Sequence, residues 1–328
     1  MSTGTWDVSE TSRVHDCAVA LGGGHGITPT LRALLGISDE VTGIVGTIDD
    51  GGSSGRLRAF LGILPPGDLR MALAALLPDD EEATLWRSVL QHRFDGQVDV
   101  GGHALGNLLM AALWEETGDV VAALDVLAEA MRARGRVLPN ALEAADLIAE
   151  FEDVHGRPTG ASVLTMKGQA EISRTRGVIT SMSIDPAAPQ PCRPAEEAIR
   201  RADLIVFGPG SWFTSVLPHL LVPGVRQALA DSAGIRVLVV NLSGESGETE
   251  GYPAHAYVES LARLFPEFRL DVVLADCEHV EDWALLQEAS SRLGARLVME
   301  DLARDGVHDP ELLRSALELI ATKDSPHG

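Results

Sequence analysis

The stretch Cys17–Gly36, CAVALGGGHGITPTLRALLG, decides the fold. Cys17–Leu21 is a short apolar run of the kind buried in a parallel sheet. Gly22, Gly23, Gly24, His25 and Gly26 then make a turn. Thr28 is placed to cap a helix with Pro29 at its first position, and Gly36 closes it. A second apolar run, Val41–Thr47, follows. Strand, glycine turn, helix and strand make a βαβ unit, the opening of a doubly wound sheet.

Beyond this unit, helix-period segments fill 69–152, ending with ALEAADLIAEF (141–151). Strands resume with a hairpin-like turn at Lys167-Gly168. Alternating helices and strands then run to about Ile320. The expected architecture is a three-layer, Rossmann-like α/β fold with a mostly parallel sheet: a tail over 1–15, one domain over 16–322 with a helical insertion over 69–152, and a tail over 323–328.

Polar and small residues gather after the strands. GGGHG follows the first, and DDGGSSGR (Asp49–Arg56) follows the second. GPGS (Gly208–Ser211) and NLSGESGETEG (Asn241–Gly251) follow two later ones. Open parallel sheets bind ligands beyond the carboxyl ends of their strands, so these loops are expected to share one site. GGGHG, with a helix behind it, suits phosphate, although its spacing is not G-x-G-x-x-G. His25 reads equally well as a solvated loop residue or a donor to a ligand.

For Asp49 and Asp50 three roles fit: a ribose contact, ligation of Mg²⁺ together with ligand phosphates, or, for Asp50, a helix cap. Gly52, Ser53 and Ser54 form an expected anion concavity with Arg56 and Arg58 as forks. Asp68 and Arg70 start a helix in PPGDLR. His103 and Asn107, four apart, are expected on one helix face. Gly208, Gly210, Ser211, Asn241, Glu248 and Thr249 complete the expected lining.

Composition narrows the function. The net charge of −22 works against nucleic acid and anionic membranes as partners. Lysine is nearly absent (Lys167 and Lys323), so arginine carries the positive charge. No apolar run nears the ~20 residues of a membrane span, and the N-terminal residues lack a signal pattern, so a cytoplasmic protein is expected. Cys17, Cys192 and Cys277 have neither zinc nor disulfide spacing. A Walker A lysine and a G-x-S-x-G elbow are both missing.

In order, GGGHG, DDGGSSGRLR, PPGDLR, GHALGN, GPGSWFTSVLPHLL and NLSGESGETEGY resemble the motifs of the gluconeogenesis factor (YvcK-like) family, related to 2-phospho-L-lactate transferase (CofD-like). The chain departs from the usual pattern at His25, in GSWFTS and in the middle of NLSGESGETEG. The resemblance implies a nucleotide pocket of UDP-sugar type and a role in growth and cell shape on gluconeogenic carbon sources. It leaves two readings open. One is a non-catalytic binding protein, a homodimer being one expected form. The other is a metal-dependent transferase using a nucleotide diphosphate-linked donor.

Overall fold

Strand β1 (His15–Gly22) lies parallel to β2 (Ser38–Val45), with Ala18 opposite Val41 and Leu21 opposite Ile44. Helix α1 (Ile27–Leu34) joins them. The structure is a computed structural model that describes residues 15–94, 101–152, 163–244 and 247–324.

After β2 the chain enters α2 (Gly52–Leu61), α3 (Pro66–Ala75), α4 (Glu81–Gln91), α5 (Leu105–Thr117) and α6 (Val120–Ala130). It returns to the sheet as β3 (Arg136–Pro139) and leaves again as β4 (Asp146–Glu152), β5 (Leu164–Lys167), α7 (Gln169–Ile172) and β6 (Val178–Asp185). Helix α8 (Arg193–Arg201), β7 (Leu204–Phe207), a π-helical turn (Trp212–Val216) and a 3-10 turn (Leu217–Leu221) come next. The chain closes with α9 (Pro223–Asp231), β8 (Ile235–Val239), α10 (Ala254–Leu264), β9 (Val272–Asp276), α11 (Trp283–Arg292), β10 (Arg296–Glu300), a small hairpin β11 (Ala303–Arg304) and β12 (Val307–His308), and α12 (Pro310–Asp324).

The main sheet has the order β10-β9-β8-β7-β1-β2-β3, and each neighbouring pair is parallel. Alternate residues feed opposite layers, as strand geometry requires. Val19, Leu21, Ile44 and Phe207 enter one core, while Ala18, Ala20, Val45 and Val206 enter the other. Successive strands run outward from β1 to β3 on one side, then from β7 to β10 on the other. The order therefore reverses between β1 and β7, the crevice where such sheets accept ligands.

Several local expectations are corrected. Helix α1 starts at Ile27 with Gly26 as N-cap, so Thr28 lies inside it. Gly51, not Asp50, is the N-cap of α2. The helical block stops at Ala130, and 141–151 contains β4 instead of a helix. Leu147, Ala149 and Phe151 are buried alternately, and β4 pairs antiparallel with both β5 and β6. Long-range pairing overrides the helix-forming composition there. Lys167-Gly168 leads into α7 and closes no hairpin. His15 belongs to β1 and residues 323–324 to α12; the other expected tail residues lie outside the described residues.

Candidate functional site

Two glycine turns meet at the order reversal. A Cβ on Gly26 would lie 2.0 Å from the Pro209 carbonyl oxygen and 2.6 Å from Gly210 Cα, so the turns after β1 and β7 touch backbone to backbone. Gly24 takes a positive φ of 57°, which glycine adopts without the usual steric cost. The next turn is locked to them by Asn241, whose Oδ1 accepts from Gly210 N at 2.9 Å and whose Nδ2 donates to Gly210 O at 2.8 Å. His25, Gly26, Arg32, Gly210, Asn241 and His308 are among the walls of one open cleft of about 740 Å³. The N-terminus of α1 opens at this place, and such an end favours anions.

Beside the cleft stands an acidic pair. Asp68, in the first turn of α3, accepts the Gly24 N–H, and its Oδ2 would lie 2.4 Å from a Cβ on Gly23. Asp68 keeps some solvent contact, yet protein atoms crowd it. Desolvation first, then the charge of Asp49, pushes its pKa up to about 6. Burial likewise raises Asp49, although Gly51 N–H, at 2.9 Å from Oδ1, and Ser54 partly offset this. Asp50 turns elsewhere. Its Oδ1 accepts from Ala170 N at 2.9 Å, tying the loop to α7. Both aspartates thus brace backbone, and Asp49 also meets the Ser53–Gly55 turn through the Ser54 side chain.

The two serines face inward and hold α2 to the helical block. Ser54 Oγ accepts from Gly67 N at 3.0 Å. Ser53 Oγ accepts from Asn107 Nδ2 at 2.9 Å and lies 3.0 Å from His103 Nδ1. Asn107 Oδ1 in turn accepts from Arg70 Nε at 2.8 Å. Burial, then Arg56 and Arg93, lowers the His103 pKa, which favours the neutral ring as hydrogen-bond partner of Ser53. His103 precedes α5 and Asn107 lies within it, so they meet through Ser53 and not as one helix face.

Other expected residues separate from the cleft. Arg56 Nη2 donates to Gly101 O at 3.4 Å, and Arg58 pairs with Asp146 at 2.7 Å. Glu248 and Thr249 are buried, and Glu248 Oε1 accepts from Phe213 N at 3.3 Å. Glu248 thereby braces the turn that contains Ser211, whose carbonyl accepts from Ser215 N and Val216 N. Gly208 N donates to Leu21 O and joins β7 to β1. Gly52 takes a φ of 51° at the start of α2.

Sequence reasoning missed three supports. His219 is fully buried under β1, and its Nε2 lies 3.2 Å from the Gly22 carbonyl. Burial drives its pKa down to about 4, so it is neutral and donates through Nε2. The segment around α7 touches two site loops: Gly168 abuts Asp50, and Gly247 abuts the Ser173 carbonyl. The β11–β12 hairpin brings His308 and Asp309 to the cleft. No local pattern marks these contacts, since each joins residues distant in sequence.

The carboxylates suit a particular kind of metal site. Mg²⁺ is commonly held by one or two carboxylates, ligand phosphates and water. Asp49 and Asp68, each held up by burial and by a neighbouring carboxylate, would be relieved by such a cation. Among the described residues, no group of three or more His, Cys, Asp or Glu side chains could form a protein-only cage. No helix among them is long and apolar enough to cross a membrane.

Residues 18–312 match the family model described as 2-phospho-L-lactate transferase CofD. The chain is 42% identical over 314 residues to a "Putative gluconeogenesis factor" of Mycobacterium tuberculosis, covering 94% of this chain and 91% of that protein. The gluconeogenesis factor of Bacillus subtilis is 38% identical over 261 residues, with 80% and 78% covered. A crystal structure of a UPF0052 family member from Bacillus halodurans superposes with a TM-score of 0.81 at 32% identity, covering 92% of this chain and 98% of that one.

Proposed function

The chain belongs to the CofD family, and within it to the gluconeogenesis factors; we propose that it binds a nucleotide diphosphate of UDP-sugar type at the order reversal and acts as a cytoplasmic regulator of growth and cell shape on gluconeogenic carbon sources. One observation carries the reading: the glycine turns after β1 and β7 pack against each other where the α1 N-terminus faces the cleft. That arrangement lets a diphosphate approach main chain with no side chain in between, and backbone N–H groups with a helix dipole favour its charge. In this reading His25 and Asn241 flank the ligand, and Asn241 also holds Gly210 in place. Ser53, Asn107, Glu248 and Thr249 position the loops from behind.

A second reading, a metal-dependent transferase, is favoured by the Asp49–Asp68 pair. Mg²⁺ held there with the ligand would supply charge neutralisation at the phosphates. Asp68, which already accepts the Gly24 N–H, would hold that turn in register with the ion.

Calorimetric titration with UDP-, GDP- and NAD-type ligands, each with Mg²⁺ and with chelator, tests both. Saturable binding of a UDP-sugar without turnover fits the regulator. Consumption of a donor only when Mg²⁺ and an acceptor are present fits the transferase. Binding of no nucleotide removes both.

A further inference from the structure

Arginines on this acidic chain usually meet carboxylates: Arg58 with Asp146, Arg136 with Asp125, Arg236 with Asp271, and Arg292 with Glu288. Arg56, Arg70 and Arg93 behave differently. Arg56 and Arg93 meet at the Gly101–His103 turn, which leads into α5, and Arg70 lies close to Arg93 against the first turn of that helix. Arg56 Nη2 donates to Gly101 O at 3.4 Å, and Arg93 Nη1 donates to Gly102 O at 2.6 Å. Arg70 is 3% exposed, with Nε on Asn107 Oδ1 and Nη1 on the Leu90 carbonyl and Gln91 Oε1. Among the described residues, none of the three forms an ion pair with a carboxylate. Asp68 is near enough to act on Arg70, yet its carboxylate takes the Gly24 N–H.

Among the described residues, Asp68 offsets this convergence only in part. Burial and the neighbouring Arg93 both press on the Arg70 guanidinium, and its pKa falls to about 10. Burial, then Arg56 and Arg93, also lowers the His103 pKa, which disfavours a further positive charge there. Carbonyl partners orient a guanidinium without neutralising it. The exposed forks of Arg56 and Arg93 keep further N–H groups for an oxyanion, and such planar forks suit phosphate and carboxylate. The N-terminus of α5, a helix of 13 residues, adds its positive end. A net charge of −22 around so small a basic patch disfavours a polyanion such as nucleic acid and leaves a small ligand.

We propose that Arg56, Arg70 and Arg93 form a second anion site, taking the phosphate or carboxylate group of a small metabolite. It goes beyond the nucleotide reading and does not depend on it. Its physical link to the cleft runs through Arg70, Asn107 and Ser53 to the start of α2, and through Asp68 to Gly24.

Thermal melts of the full chain without nucleotide test it, with chloride replaced stepwise by inorganic phosphate or by succinate at constant ionic strength. Wild type and Arg292→Gln, a control at an exposed ion pair, should show a saturable rise in Tm with at least one of the two anions. The larger response tells phosphate from carboxylate. In the Arg56→Gln/Arg93→Gln variant, half-saturation should move up at least tenfold, while nucleotide titration shows whether the cleft is intact. A flat wild-type response overturns the proposal, as does an equal response in the double variant. Asp95 and Asp99 precede Gly101 in sequence, outside the described residues. A response that appears only in Asp95→Asn/Asp99→Asn would mean the chain neutralises the cluster itself, and would equally overturn it.

Discussion

Replacing Gly26 with alanine probes the junction that defines the cleft. The added Cβ would sit 2.0 Å from Pro209 O, 2.7 Å from Pro209 C and 2.6 Å from Gly210 Cα. All three are backbone atoms of a turn held by Asn241, so no side chain can swing aside. The turns after β1 and β7 must separate by about an ångström or more. Overpacking usually costs about 1–3 kcal/mol, and backbone on both sides places this case at about 3 kcal/mol. With unfolding entropy near 2.1 cal/mol/K per residue, a chain of 328 residues loses about 4–5 °C of Tm for that change. Two other glycines calibrate the result. Gly24→Ala meets nothing within 4 Å but must keep a φ of 57°, which costs about 1–2 kcal/mol. Gly46→Ala meets nothing within 4 Å and has no positive φ, so it should change stability by at most about 0.5 kcal/mol. Scanning calorimetry should rank them Gly26, Gly24, Gly46 from most to least damaging. A Gly26→Ala protein that melts within about 1 °C of wild type would refute the close approach of the two turns.

Asn241→Ala removes both bonds to Gly210 and should cost about 2 kcal/mol in urea unfolding, whereas Asn241→Asp, which cannot donate to Gly210 O, should be no more stable than the alanine variant. A wild-type-like Asp variant would show that the donor is unimportant. Asp68 and His219 should oppose each other in pH dependence. Asp68 is raised from 3.8 to about 6, so its contribution is full below pH 3.8 and is lost as pH rises through 6. His219 is lowered from 6.5 to about 4, so its contribution is full above pH 6.5 and is lost as pH falls through 4. Asp68→Asn should therefore steepen the rise in stability from pH 4.5 to 6.5 by roughly 2 kcal/mol relative to wild type, in which the Asp68 slope opposes that of His219 and of His308, also lowered to about 4. Identical slopes in urea titrations of the two proteins would contradict this. Nucleotide affinity measured with Mg²⁺ and with chelator should lose its metal dependence in Asp49→Asn and keep it in Asp50→Asn, whose carboxylate is engaged with α7. Metal dependence abolished only in Asp50→Asn would reverse that assignment.

Much of the frame was legible because apolar runs and glycine turns are local signals. Ala18–Leu21, Leu204–Phe207 and Val237–Val239 sit in the sheet as their composition indicates, with the polar loops following them. What escaped depends on partners far along the chain. ALEAADLIAEF has the alanine and glutamate of a helix, but the cross-strand partners of β4 decide its state. Ser53 looked like a ligand contact because it follows two glycines; its hydroxyl is occupied by His103 and Asn107, 50 and 54 residues away. His219 lies within the motif GPGSWFTSVLPHLL, but its partner, the Gly22 carbonyl, is 197 residues away, so its supporting role has no local mark. The family motifs identified the right loops, while packing decided which side chains face the cleft.

The most direct test of the central claim is a crystal structure of the protein with a UDP-sugar bound. The account predicts diphosphate oxygens against the turn Gly23–Gly26 and the start of α1, with Asn241 and Gly210 alongside. A nucleotide seated away from the β1–β7 junction, with that cleft holding only solvent, would contradict it.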